Sequence, residues 1–94
     1  MLQELIDEIK EYNKNSNLEL IRRAYEFARE AHKGQKRISG EDFIEHPLET
    51  AKILAKLRLD DNSIIAALLH DVVEDTTISL KDIEEKFGKE VAEL

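Results

Sequence analysis

Six consecutive apolar residues, Ile64-Ile65-Ala66-Ala67-Leu68-Leu69, constrain this chain more than any other segment, because so hydrophobic a run has to be covered. The residues that follow, His70-Asp71-Val72-Val73-Glu74-Asp75, set an imidazole and three carboxylates at the end of that run. A buried polar group without a partner costs roughly 2–7 kcal/mol and a buried charge far more, so a divalent metal is a natural partner for the cluster. If the segment is helical, His70 and Glu74 lie i, i+4 on one face, and Asp71 and Asp75 repeat that spacing about 100° further round. Two adjacent rows of ligand-type side chains then point toward one cavity.

The rest of the chain reads as helices. Leu2, Leu5, Ile6 and Ile9 fall at i, i+3, i+4, i+7, the stripe of a short amphipathic helix that the segment 13–17 ends. Asn17 is placed to cap a second helix over 18–33, with Ile21, Ala24, Tyr25, Ala28 and Ala31 inward and Gly34 as its C′ residue. Residues 35–43 read as a loop. His46-Pro47 marks a helix entry, since proline is tolerated at the first helical position, and Leu48, Ala51, Ile53, Leu54, Ala55 and Leu57 carry that helix to near Arg58. Asp60, Asp61 and Asn62 offer caps for a buried helix over 63–73, and Ser79 with Asp82 forms a capping-box pattern for a helix over 80–87. Gly88 stops it, and 89–94 begins another. No segment alternates apolar and polar residues over a useful length, so the expected class is all-α.

Ninety-four residues make one small domain, and the absence of cysteine removes both disulfides and thiolate metal sites. Any metal must then sit on imidazole nitrogen and carboxylate oxygen, which favours manganese, magnesium, iron or zinc. The acidic N-terminus does not resemble a signal peptide and no apolar run reaches membrane-spanning length, so the expectation is a cytoplasmic chain with no membrane partner. A net charge of −7 argues against direct nucleic-acid binding, which needs a basic footprint over several phosphates.

The histidines divide by position. His70 ends the apolar run and His46 opens the helix before it; with Asp71 they are the candidate metal ligands. His32, on the last turn of the second helix, reads as a packing or dipole-facing histidine. A metal at His46, His70 and Asp71 lowers the pKa of bound water and polarises a phosphoryl oxygen, while Glu74 and Asp75 orient that water or take its proton. The segment 33–40 gathers three of the fourteen cationic residues, Lys33, Lys36 and Arg37, beside two glycines. Next to a metal cluster it reads as a phosphate and base clamp, with Arg37 able to stack on a purine or fork onto phosphate oxygens. The chemistry indicated is phosphoester or pyrophosphate hydrolysis.

Taken together, Glu11-Tyr12-Asn13, the run 18–28, Ala31-His32-Lys33-Gly34-Gln35-Lys36-Arg37-Ile38-Ser39-Gly40-Glu41, His46-Pro47-Leu48, the run 66–76 and Phe87-Gly88 resemble the N-terminal end of the long RelA/SpoT proteins. These are bifunctional enzymes that make and degrade (p)ppGpp in the stringent response. The resemblance covers essentially the whole chain and implies an HD-domain helical bundle of about five to six helices. It implies an Mn²⁺-dependent hydrolase that removes the 3′-pyrophosphate of this guanosine nucleotide. Carried over by residue, it makes His46, His70 and Asp71 metal ligands, Glu74 and Asp75 the hydrolytic carboxylates, and Arg37 with Ser39, beside Lys36, the nucleotide-binding loop. Asp42-Phe43 departs from the Pro-Tyr common in the family.

The family's fourth metal ligand, an aspartate far downstream of the His-Asp pair, has no counterpart within 94 residues. The expectation is therefore the N-terminal portion of a hydrolase domain, truncated at its C-terminus over 1–94, with no synthetase domain, an incomplete metal site and little activity alone. The missing cover should leave 64–69 exposed and favour self-association or loose packing. The competing reading is a non-catalytic helical interaction module that keeps the His-Asp motif as a structural polar network. Metal binding at His46 and His70 separates the two.

Overall fold

The computed structural model describes residues 2–33, 45–76 and 78–93 and, among them, six helices and no strand. They are α1 (Leu2–Tyr12), α2 (Leu18–Ala31), α3 (Glu45–Lys56), α4 (Asp61–Asp75), α5 (Leu80–Phe87) and α6 (Lys89–Ala92). The all-α expectation holds. Leu5, Ile6 and Ile9 are the buried residues of α1, so the stripe read from the sequence is the one that packs. Asn17 caps α2 by accepting a hydrogen bond from the Leu20 backbone N–H. Ser79 and Asp82 form a reciprocal capping box on α5. Gly88, at φ 99°, ends α5 in the region that glycine occupies without strain.

The centre of the bundle is α4, which packs against α2, α3 and α6. Ile64, Ile65, Leu68 and Val72 are fully buried and Leu69 nearly so. Their neighbours are small where α4 must come close: Ala24 and Ala28 on α2, and Ala51 and Ala55 on α3, are all fully buried. The expectation of an exposed segment 64–69 is thus corrected, because three helices of this same chain cover the apolar stripe. Large exposed apolar residues lie elsewhere, at Ile53 on α3, at Leu57 and Leu59 in the turn that follows it and at Leu80 on α5. No described helix is long and apolar enough to cross a membrane.

Helix limits differ from the pattern reading by two residues at the end of α2, which stops at Ala31, and at the end of α4, which runs on to Asp75, and they differ again around the α3–α4 junction. α3 ends at Lys56 because the chain turns left-handed at Arg58, φ 61°. The Arg58 and Leu59 N–H groups donate back to the Ala55 and Leu54 carbonyls, at 3.0 and 3.2 Å, in the double bond pattern of a Schellman stop. α4 begins at Asp61, with Asp60 in the N-cap position, and the Asp61 side chain serves the neighbouring junction instead of capping its own helix. Its carboxylate accepts from Ser16 Oγ at 2.6 Å and from the Asn17 N–H at 2.8 Å, while Tyr12 Oη donates to the Leu59 carbonyl at 2.7 Å. The α1–α2 and α3–α4 connections are therefore joined, and the residue that caps α2 is held by the first residue of α4.

A non-glycine residue in left-handed backbone costs roughly 1–2 kcal/mol, so Arg58→Gly should stabilise the fold by up to about 1 kcal/mol once glycine's unfolded-state entropy is offset. A denaturant midpoint that fell would contradict the strained-turn assignment. Burial, with the Asp61, Glu8 and Asp60 carboxylates, raises the Tyr12 phenol above its ordinary 10.0. The folded chain thus keeps a proton that the unfolded chain releases, so this contribution is intact below about pH 10 and is lost as pH rises through the raised value. Tyr12→Phe should cost about 0.5–1.5 kcal/mol near neutrality and flatten the fall in stability above pH 10, as followed by thermal melts across the alkaline range.

Candidate active site

Burial of one face of α4 decides what the opposite face can do. With Ile64, Ile65, Leu68 and Val72 turned inward, Ser63, Ala66, Ala67 and His70, at i, i+3, i+4, i+7, form a stripe of small and polar residues along a groove. The other wall is α3, through His46, Pro47, Thr50 and Leu54. The groove encloses about 270 Å³, and Asp71 joins His46 and His70 among its lining residues. The three predicted metal ligands therefore share one groove, brought together by the packing of α3 on α4.

Within it, His46 Nε2 stands 3.9 Å from Asp71 Oδ2, beyond the 2.7–3.2 Å of an N–H···O hydrogen bond. The Asp71 side chain is only 16% exposed, against 47% for His46, so the carboxylate is largely withdrawn from water. Two donors each 2.0–2.2 Å from one ion stand at most about 4.4 Å apart, and this pair lies inside that limit. An imidazole and a screened carboxylate suit a borderline or hard divalent cation. His70, like His46, is exposed, and it also lines a second, apolar cavity with Leu69, Val73, Leu80 and Ile83. Among the described residues no three imidazole or carboxylate groups are gathered closely enough to hold an ion. The pair fits a metal; the described triad does not close around one.

Helical geometry persists through Asp75, so the spacing on which the two-row reading depends is present: Glu74 lies one turn beyond His70, and Asp75 one turn beyond Asp71. The side chains of Glu74 and Asp75, and the predicted nucleotide-binding residues Lys36, Arg37 and Ser39 with the Gly34 stop, lie outside the described residues. His32 is buried at the C-cap of α2 and does not line the groove. Thr50 and Ser63 were not singled out from the sequence. Thr50 Oγ1 donates to the His46 carbonyl at 3.2 Å, one turn away, and Ser63 sets the far end of the groove. The signal that could have found Ser63 is the small-residue stripe itself, which repeats at helical spacing opposite the large aliphatics.

The HD domain family profile matches residues 24–94, which spans α3, α4 and the groove between them. The chain belongs to the HD domain family. Among curated proteins, this HD-domain chain is 50% identical over 86 residues to the bifunctional (p)ppGpp synthase/hydrolase SpoT of Escherichia coli, which covers 92% of the chain and 12% of that protein. It is 46% identical over all 94 residues to a guanosine-3′,5′-bis(diphosphate) 3′-pyrophosphohydrolase of Vibrio cholerae, 13% of that protein's length. It is 44% identical over 86 residues, 92% of the chain and 11% of the relative, to a GTP pyrophosphokinase of Myxococcus xanthus. The HD-domain chain thus spans about an eighth of the length of these relatives.

Proposed function

We propose that this chain forms the first part of the hydrolase domain of a cytoplasmic (p)ppGpp hydrolase and synthetase of the stringent response, and that its α3–α4 groove is the metal-dependent hydrolytic site. The observation that carries the reading is the convergence of His46, His70 and Asp71 on one groove. The relatives' names, all of enzymes acting in (p)ppGpp chemistry, support it over a non-catalytic module.

His46 and Asp71, joined by His70, would hold Mn²⁺, which when bound supplies positive charge to the pyrophosphate oxygens. Glu74 and Asp75 carry the proton work. One of them takes a proton from water as its oxygen bonds to the phosphorus nearest the ribose. The bond from that phosphorus to the 3′ oxygen breaks, and that oxygen ends protonated, leaving GDP or GTP and pyrophosphate. Two carboxylates at adjacent helical positions can serve as acceptor and orienter without leaving the helix. Lys36, Arg37 and Ser39 would supply nucleotide contacts, the arginine through its planar guanidinium.

Titration of the chain with Mn²⁺, followed by calorimetry, should give binding that the His46→Ala, His70→Ala double variant abolishes. Equal binding by that variant would sink the assignment. In the whole enzyme, Glu74→Gln with Asp75→Asn should preserve metal binding while lowering (p)ppGpp hydrolysis at least ~100-fold, the usual scale of general acid–base help. Turnover at the unaltered rate would remove both carboxylates from the mechanism.

A further inference from the structure

A second site is indicated on the side of the molecule built from α2 and α5. Arg22 and Arg23 on α2 and Lys86 on α5 line one groove of about 310 Å³, together with Glu19, Glu26, Phe27 and Phe87. The charge there runs against the rest of the molecule. The chain carries −7 overall, yet this groove sets three cations against two carboxylates, and Glu26 already stands 3.6 Å from Arg29. Among the described residues, none of Arg22, Arg23 and Lys86 is matched by an ion pair, and all three are exposed.

The cations are also held in relation to one another. Phe27 and Phe87 meet edge to face, ring centroids 5.6 Å apart, which fixes the end of α5 on the middle of α2. Lys86 Nζ lies 5.8 Å from the centre of the Phe27 ring, a cation–π contact that biases the ammonium toward the groove. Two guanidinium forks from one helix and an ammonium from another then face a common space. That arrangement fits an anion with several oxygens and more than one charge, because a guanidinium pairs with two phosphate oxygens at once and an ammonium adds a point charge. The flanking Glu19 and Glu26 disfavour an extended acidic polypeptide, which would have to pass both carboxylates. A compact diphosphate group need touch only the cations.

We propose that Arg22, Arg23 and Lys86 form a binding site for a diphosphate group, separate from the α3–α4 groove. The group could arrive as free pyrophosphate or on a nucleotide, and the test has an arm for each. The chain, with chelator present to remove metal from the other groove, is titrated with inorganic pyrophosphate, with a nucleoside diphosphate and with the nucleoside alone, while backbone amide shifts are followed. Pyrophosphate should move amides over 19–27 and 86–88, with binding that weakens as salt is added. Arg22→Gln with Arg23→Gln should weaken that binding at least about tenfold, the loss expected for one or more charged hydrogen bonds. Lys86→Gln, on the other helix, should weaken it independently. Equal binding of pyrophosphate and nucleoside diphosphate assigns recognition to the diphosphate alone, and tighter nucleoside diphosphate binding assigns it to a nucleotide; both support the site. Shifts confined to α3 and α4, binding unchanged in the double variant and in Lys86→Gln, or equal shifts from the nucleoside alone would overturn it.

Discussion

Everything in this molecule depends on how α4 is buried. A helix with Ile64, Ile65, Leu68 and Val72 on one side cannot stand at the surface, since each such side chain gains roughly 1.5–3 kcal/mol on leaving water. α2, α3 and α6 supply the cover, and the alanines of α2 and α3 allow the close approach. The consequence for chemistry is geometric. Once the large aliphatics face inward, Ser63, Ala66, Ala67 and His70 must face out along α3, and the residue after His70 adds its largely buried carboxylate to the lining of the same groove. The site is thus a by-product of core packing, positioned by the same contacts that hold the fold.

The polar junction between the two connections complements this. Asp61 holds Ser16 and Asn17, and Tyr12 holds the Leu59 carbonyl, so the beginning of α4 is tied to the beginning of α2 by groups more than forty residues distant in sequence. This fixes the end of α4 opposite to the donors, while the packing of α3 on α4 sets the position of the His70-Asp71 end. The groove is consequently anchored at its Ser63 end.

Local features were readable from the residue order because the forces behind them act within one or two turns. The α1 stripe, the Asn17 cap, the Ser79 and Asp82 box and the Gly88 stop all belong to this class. The gathering of His46, His70 and Asp71 along one groove was also expected, since an imidazole and carboxylates at the end of an apolar run need partners and His46 opens the preceding helix. Features that depend on which helices meet were not. Asp61 looked like a cap and is a cross-link; Arg58 bears a left-handed turn in a residue with no glycine to announce it. The segment 64–69 was expected to be exposed because its cover was assigned to residues beyond the chain, whereas α2, α3 and α6 provide it. The cationic groove of Arg22, Arg23 and Lys86 arises only when Phe27 meets Phe87.

The central claim is that packing of α3 on α4 brings His46 and Asp71 to a separation that one divalent ion can bridge. Anomalous diffraction from crystals of the chain grown with Mn²⁺ tests it most directly. The account predicts a manganese peak in the α3–α4 groove, about 2.0–2.3 Å from both His46 Nε2 and an Asp71 carboxylate oxygen. A fully occupied peak elsewhere on the surface, with His46 and Asp71 bonded directly to each other, would contradict it.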